Sequence, residues 1–385
     1  MFPRIFPRYV YIVVAVAILS FLAATACRRV PVNSLSFDDV VYVDDSDPAV
    51  WTLADGDTLS IPVLGVRAFA IADSMLVVST NDNSGYVTVL DPGSLNVLGR
   101  FIKSGRGPGE VLSFPGVAGI SFEVHDSCLR AFWGSSTGVV YVWNVSESLE
   151  KGESVVDGID IDLGEYPYLL ATLPLSDGDF LFAAAGEDGN TITRFVLTAD
   201  GERVVTAELA RLNSVVSSGG TSSGQVVGGK QVTFNVPGFN HINGSYAYDT
   251  VRHLIVEAER VRNSINIFSI DGKYARTVCT IGKRIDDVSE ISGPLSGDNY
   301  TLRPKAYPDF FTVFHWFGRS TGKFIRLYDY GGEPIAEIPL PDDVFIYDFD
   351  MDGGYLYTLA PDTESLVRYD VAELLGTVRS PASEL

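Results

Sequence analysis

The residues best suited to hold a ligand fall in one short stretch, FNVPGFNHIN at 234–243, which sets Phe234 and Phe239 among Asn235, Asn240, His241 and Asn243. Aromatic faces beside amides and an imidazole are the chemistry of a sugar or peptide site, where rings give stacking area and amides offer a donor and an acceptor each. The same residues would also serve as an ordinary loop whose aromatics pack against a neighbouring edge. The four histidines, His125, His241, His253 and His315, are scattered without metal-ligand spacing. Asp348, Asp350 and Asp352 ahead of Gly353 imitate the start of a calcium loop, but Leu359 stands where the closing Glu should be. The first two read more simply as a strand end and the third as part of a turn. Asp44, Asp45 and Asp47 read as a solvated acidic stretch. The chain carries no His-Glu-x-x-His and no Cys-x-x-Cys, and its Gly-x-Ser-x-Gly runs at 134–138, 220–224 and 318–322 fall inside hairpins or a long Ser/Gly-rich connection, not between a strand and a helix as a nucleophile elbow requires. No catalytic residue, metal ligand or cofactor is therefore assigned.

A glycine-rich segment, SGRGPGEVLSFPGVAGISFE at 104–123, raises the question of a phosphate cradle. A phosphate loop runs from strand to helix and offers Lys followed by Ser or Thr; here Glu110 and an extended Val-Leu follow instead. Gly105, Gly107, Pro108 and Gly109 are read as a structural turn, with glycine supplying backbone conformations closed to other residues.

The third reactive position is Cys27. Residues 1–27 place Arg4 and Arg8 ahead of an uncharged run from Tyr9 to Ala26 that ends in small residues before the cysteine, the pattern of a secretory signal. It resembles the bacterial lipobox, with Thr25 and Ala26 as the small residues and Cys27 as the lipidated one. Ala24 departs from the favoured Leu, which occurs two places earlier as Leu22. The alternative is an uncleaved anchor, since the uncharged run nearly reaches the roughly 20 residues that a membrane-spanning helix needs. Arg28 and Arg29 just beyond it weaken the charge bias that would orient such an anchor. Both readings place the rest of the chain outside the cytoplasm, in a bacterial cell envelope. Cys128 and Cys279 could pair in an oxidising compartment, but they fall in different repeats and are expected as free, buried thiols.

The 385 residues carry a net charge of −21, with 46% hydrophobic and 11% aromatic residues. Such a chain buries a large core. It lacks the basic surface from which nucleic-acid binding draws its affinity, so nucleic acid is excluded as a partner. Val, Ile, Tyr, Phe and Thr recur in short runs punctuated by Gly, Asp, Asn and Pro, the texture of many short strands joined by turns.

These strands form a repeat. Hairpins are read at 75–91, 128–144, 180–197, 253–270, 310–328 and 355–370. Each is preceded by an apolar run (67–72, 116–122, 168–175, 244–249, 305–310, 344–349), and several are followed by a turn and a further apolar run (97–102, 204–209, 275–281, 333–340). Four strands repeated six times predict an all-β, six-bladed β-propeller with four-stranded antiparallel blades. The sixth unit has three strands of its own, so the run TLSIPVL at 58–64 is expected to supply the fourth and close the ring, which removes an open edge. The expected organisation is a lipoprotein signal peptide at 1–26, a linker after Cys27 at 27–57, the propeller at 58–373 and a C-terminal tail at 374–385.

The segment 104–123 resembles the linker into an NHL-type repeat, in which a glycine-rich turn, an aromatic (Phe114), a Pro-Gly (Pro115, Gly116) and an apolar strand follow one another. Behind a lipoprotein signal, it is similar to the TolB-like and NHL-like six-bladed propeller lipoproteins. The anchor, the rigid repeat and the missing catalytic motif point to a non-catalytic binding or scaffold module, held at the membrane by its lipid and presenting a loop-bearing face to a protein, peptide or glycan. Two long connections, 210–243 and 282–304, flank the fourth blade on that face, and loops of this length are functional or disordered. The alternative is a channel-centred metal-dependent hydrolase or lyase, built from single residues of several blades. Trp133, His315 and Trp316, at strand ends near the same face, are expected to pack.

Overall fold

The computed structural model describes residues 35–378, apart from 45–47, 82–84, 113, 116–118, 137, 218–220, 228–229, 283, 285–300, 317–321 and 361–363. The signal segment and Cys27 lie outside the described residues. Alternating, β-branched sequence folds into six antiparallel four-stranded sheets. Blade 1 comprises Val66–Ala72, Met75–Thr80, Val87–Leu90 and Val97–Phe101; blade 2 comprises Ser121–His125, Cys128–Gly134, Val139–Asn144 and Val156–Asp160. Blade 3 holds Tyr168–Pro174, Phe180–Ala185, Ile192–Leu197 and Arg203–Val204; blade 4 holds Gly244–Asp249, Leu254–Glu259, Ser264–Ser269 and Ala275–Cys279. Blade 5 is Thr301–Ala306, Phe311–Trp316, Lys323–Tyr328 and Pro334–Leu340, and blade 6 is Ile346–Asp350, Tyr355–Ala360, Ser365–Asp370 and Asp57–Leu59.

All six expected hairpins are present, and local chemistry explains their turns. Asp73-Ser74 and Asp126-Ser127 both take positive φ, which two-residue hairpin turns require if their twist is to match the strands. First strands of blades 2 and 3, 3 and 4, 4 and 5, and 6 and 1 lie beside one another. Apolar residues of adjacent sheets interlock between them: Phe69 of blade 1, Trp143 of blade 2 and Tyr357 of blade 6 share one buried cluster.

Closure comes from the N-terminal side, as expected, through a shorter strand than the apolar run suggested. Asp57–Leu59 pairs antiparallel with the third strand of blade 6, Thr58 opposite Val367. The residues before it, expected as a linker, form a belt. Val40–Tyr42 adds a parallel fifth strand to blade 4, with Val41 opposite Val278, and Ala49–Val50 does the same on blade 5. A five-stranded edge hides the hydrogen-bonding groups that an outer strand would otherwise present. Leu35 and Phe37 are buried where the belt begins.

Among the described residues, three short α-helices interrupt the β pattern. Val145–Lys151 is capped by Asn144, whose side chain accepts from Glu147 N, and ends at Gly152 in the left-handed conformation. Ala207–Asn213 is capped by Thr206; of the run 204–209, expected as an outer strand, only Val204 belongs to the two-residue strand Arg203–Val204, and 207–209 begin this helix. Ala372–Val378 buries Leu374, Leu375 and Val378 against blades 5 and 6, so packed structure extends past residue 373. Among the described residues, no helix is long and apolar enough to cross a membrane.

Candidate functional site

The connection from blade 3 to blade 4 is built and docked. Its helix Ala207–Asn213 buries Leu209 and Leu212 beside Leu181, Val196 and Phe268. At the helix end Asn213 imitates a strand partner: its Oδ1 accepts from Arg194 N at 2.7 Å and its Nδ2 donates to Arg194 O at 2.9 Å. Thr221–Val227 and Lys230–Val236 then form a separate two-stranded hairpin. Phe234 and Asn235 fall on its second strand, and their side chains lie outside the described ones. After Pro237, a short 3-10 turn at Gly238–His241 leads into blade 4. Ser217 N donates to Asn190 O at 2.9 Å and Phe239 N to Gly189 O at 2.8 Å. The connection therefore rests on the blade 3 turn between its second and third strands, so the two loop types share a face. Of the other long connection, residues 285–300 lie outside the described residues.

Phe239, Asn240, His241 and Asn243 thus stand at the junction of blades 3 and 4. Phe239 packs half-buried against the cluster of Leu35, Ile192 and Ile242, and Asn240 Nδ2 donates to Pro237 O at 3.2 Å. His241 is buried, its Nδ1 is 3.4 Å from Ser217 Oγ, and burial holds its pKa below the ordinary imidazole value.

Beneath them lies a charged core that sequence reasoning did not find. Arg194 and Glu257, both inaccessible to solvent, pair at 2.8 Å across the blade 3–blade 4 interface. The Arg194 guanidinium also donates to Tyr246 Oη and to Ile242 O, each at 2.9 Å. Tyr246 Oη donates in turn to Glu257 at 2.7 Å. Glu259 and Arg262, equally buried, pair at 3.0 Å. Burial works against the charge on Arg194, but Glu257 and Tyr246 outweigh it and raise its pKa. For Glu259 burial wins over Arg262, and its pKa is pushed up to about 7. The belt is fastened here as well: Leu35 O accepts from Arg262 at 3.1 Å and from Asn266 at 2.8 Å, and Phe37 N donates to Thr277 Oγ1 at 2.7 Å.

On the axis, Asp348 binds three inner strands together. Its Oδ2 accepts from Ile71 N of blade 1 at 2.8 Å and from Lys305 Nζ of blade 5 at 2.6 Å, and its Oδ1 from Tyr307 Oη at 2.9 Å. That carboxylate is occupied as a fastening. Asp350 instead caps a turn, accepting from Gly353 N at 2.8 Å, so the two aspartates of the calcium-like run do not converge. Among the described residues, no three His, Cys, Asp or Glu side chains gather as a metal site would need.

The glycine-rich turn holds its own anion. Gly107 N donates to Glu110 Oε2 at 2.8 Å, and a Cβ on Gly105 would lie 1.9 Å from that same oxygen. Gly109 has φ +71, and its Cβ would meet Ser154 O at 2.4 Å. Pro108 is exposed at the tip. Phe114 stacks on Tyr86 and meets Trp133 edge-on, with ring centres at 5.7 and 5.4 Å. Trp133 is buried, His315 stacks on Phe324 with centres 4.8 Å apart, and Trp316 meets Phe345 edge-on. Cys279 is a buried thiol whose Sγ lies 3.4 Å from Gly282 O, and Cys128 is only half-buried, its Sγ 3.2 Å from Asn144 Oδ1; neither forms a disulfide.

The opposite face holds a second group invisible in the sequence. Ser176 Oγ lies 3.1 Å from His253 Nδ1 and 3.0 Å from Tyr248 Oη, which is itself 2.9 Å from that nitrogen. Among the described residues no carboxylate bonds the far side of the ring, so the group that orients a general base in a Ser-His pair is missing. The trio joins blade 3 to blade 4.

No family model and no curated relative matches the sequence. Solved structures do. A member of the DUF4221 family from Bacteroides vulgatus superposes with a TM-score of 0.55 at 9% identity, covering 85% of this chain and 98% of that one. A gluconolactonase from Xanthomonas campestris gives 0.45 at 12% identity over 85% and 95% of the two chains. A streptogramin B lyase gives 0.41 at 14% identity over 82% and 97%. At such identities the likeness is one of fold. This chain is an all-β, six-bladed propeller with four-stranded antiparallel blades.

Proposed function

We propose that the chain is an envelope lipoprotein of the TolB-like or NHL-like kind, anchored through Cys27, whose propeller acts as a binding or scaffold module for a protein, peptide or glycan. The observation that carries this reading is the blade 3–blade 4 connection. Instead of a loose loop, it is a capped helix, a seven-residue paired hairpin and a docked turn, and it delivers Phe239, Asn240, His241 and Asn243 to one junction. A rigid scaffold carrying a separate, paired loop element is what recognition of a large ligand needs. The engagement of Asp348 in three inter-blade contacts supports binding over axial catalysis.

The test compares the full chain with a variant in which 221–236 is replaced by a short Gly-Ser link, using a glycan array and pull-down from envelope extracts. Capture of the same partner or glycan by both proteins would overturn the reading. Cys27→Ser is expected to abolish partitioning into detergent; retained partitioning with an unchanged mass would remove the lipid anchor. Elemental analysis separates the channel-centred enzyme, which requires a bound divalent metal.

A further inference from the structure

The belt shows that outer edges of this propeller accept an added strand: Val40–Tyr42 pairs in parallel with Ala275–Cys279 of blade 4, and Ala49–Val50 with Pro334–Leu340 of blade 5. The edges it leaves bare differ from one another. The outer strand of blade 3 has two residues and that of blade 6 three. Blade 1 shifts register between Val89 and Leu90, and its end is tied to blade 2, where Ile102 N donates to Ser154 Oγ at 2.9 Å. Short or bulged edges are poor templates for another chain. Val156–Asp160 of blade 2 has neither protection: among the described residues it is last in its sheet, and its register with Val139–Trp143 is unbroken.

The direction of its backbone groups follows from the ladder. Asn144 N donates to Val155 O at 2.9 Å and Ile161 N to Gly138 O at 2.8 Å, so Val155, Asp157, Ile159 and Ile161 turn their backbone groups inward. Bonded and unbonded pairs alternate along an antiparallel ladder, which turns the N–H and C=O of Val156, Gly158 and Asp160 outward from the blade. Residues 157–160 are exposed, Ile159 by 44%.

Gly158 stands at the centre of this edge. Nothing in its own blade requires glycine there: its φ lies outside the left-handed region, and a Cβ would meet only Val139 Cγ1 at 3.5 Å and Tyr141 at 4.0 Å. A glycine inside a strand weakens it and marks a place where another backbone comes close. Charge selects the strand that approaches. From Gly152 to Thr193 the chain has no Lys, Arg or His. Asp157, Asp160, Asp162 and Glu165 are exposed, and among the described residues none of them is ion-paired. Such an edge repels the same edge of a second copy and attracts a cationic segment.

We infer that the outer edge of blade 2 is a docking site for an extended basic segment of a partner protein. The segment adds as a fifth strand, as the belt does on blades 4 and 5; Val156, Gly158 and Asp160 supply the ladder, and the flanking carboxylates meet its lysines or arginines. This site is separate from the blade 3–blade 4 connection, and neither reading depends on the other.

The test titrates three capped peptides against the full chain in detergent: one of alternating lysine and valine, the same peptide with two adjacent central prolines, and one of alternating glutamate and valine. Backbone amide exchange is followed by NMR. The lysine peptide is expected to slow exchange at Gly158 and Asp160 while leaving Asp157 and Ile159, already in the ladder, unchanged. Its affinity should fall at least about tenfold with the prolines, the loss of roughly one good hydrogen bond. Gly158→Pro, which removes the outward N–H and leaves the inner ladder intact, should weaken it to a similar extent, and the glutamate peptide should not bind. Equal binding of the lysine and proline peptides would reduce the effect to attraction between net charges and overturn the inference, as would binding without slowed exchange, equal binding of the glutamate peptide, or no binding at all. Exchange at Gly158 and Asp160 that slows with protein concentration alone would assign the edge to a second copy and overturn it too. If Gly158→Pro fails to fold, the proline peptide and the exchange pattern of the parent chain decide.

Discussion

Arg194 and Glu257 are stable in the interior only together. Removing one partner leaves an unpaired charge where water cannot reach it, at a cost of about 3–5 kcal/mol. Arg194→Met is therefore expected to lower the urea midpoint far more than the paired change Arg194→Met with Glu257→Leu, which removes both charges at once. Glu259 gives a pH signature. Folded, it keeps its proton to about pH 7, against an ordinary value of 4.5. Between those values the folded chain binds more protons than the unfolded one, so this residue's contribution is complete below about pH 4.5 and is lost as pH rises through 7. Denaturation of Glu259→Gln across that window should show a flatter fall in stability than the parent, with the difference reaching about 1–3 kcal/mol.

The closing strand and the glycine turn are the elements on which the ring depends. Asp57–Leu59 is the only outer strand that blade 6 has among the described residues, and its loss would bare the edge of Ser365–Asp370. Truncation through Gly65 is expected to yield aggregated protein; a soluble product that melts cooperatively would contradict closure by this strand. In the turn, Gly109→Ala places a Cβ on Ser154 O in a backbone conformation that L residues disfavour by about 1–2 kcal/mol. A melting temperature lowered by several degrees is expected, whereas Gly152→Ala, whose Cβ meets nothing within 4 Å, should show the conformational cost alone. The alternation of short apolar runs made the hairpins legible. The helix Ala207–Asn213 was not, because VVTAEL is short and apolar enough to suit either state, and the Thr206 cap with packing against Phe268 and Leu181 decided for helix.

For the molecule as a whole, the hairpin Thr221–Val227/Lys230–Val236 forms its own two-stranded sheet, separate from the six blades. Replacing it should leave the melting temperature of the propeller within a few degrees while removing ligand capture. A collapse of the melting transition would show instead that it is a structural cover. The belt at 35–59 is fastened first to blade 4 through Leu35 and Phe37 and then runs across blades 4, 5 and 6 before closing the ring.

Periodicity is a local property, and it alone determined the strand content, the sixfold repeat and the need for a closing strand, because each hairpin carries its own alternation and turn residues. The glycine turn was likewise legible, since Glu110 follows the glycines directly. The belt was not, because Val40–Tyr42 and Ala49–Val50 are too short to signal a strand and acquire one only from the edge they meet. The charged core was equally hidden. Arg194, Glu257 and Arg262 look like solvated surface residues in the chain, and only the facing of blade 3 on blade 4 brings them into a low-dielectric interior where pairing becomes obligatory. Tertiary structure therefore decided what His241 and Asn243 stand beside.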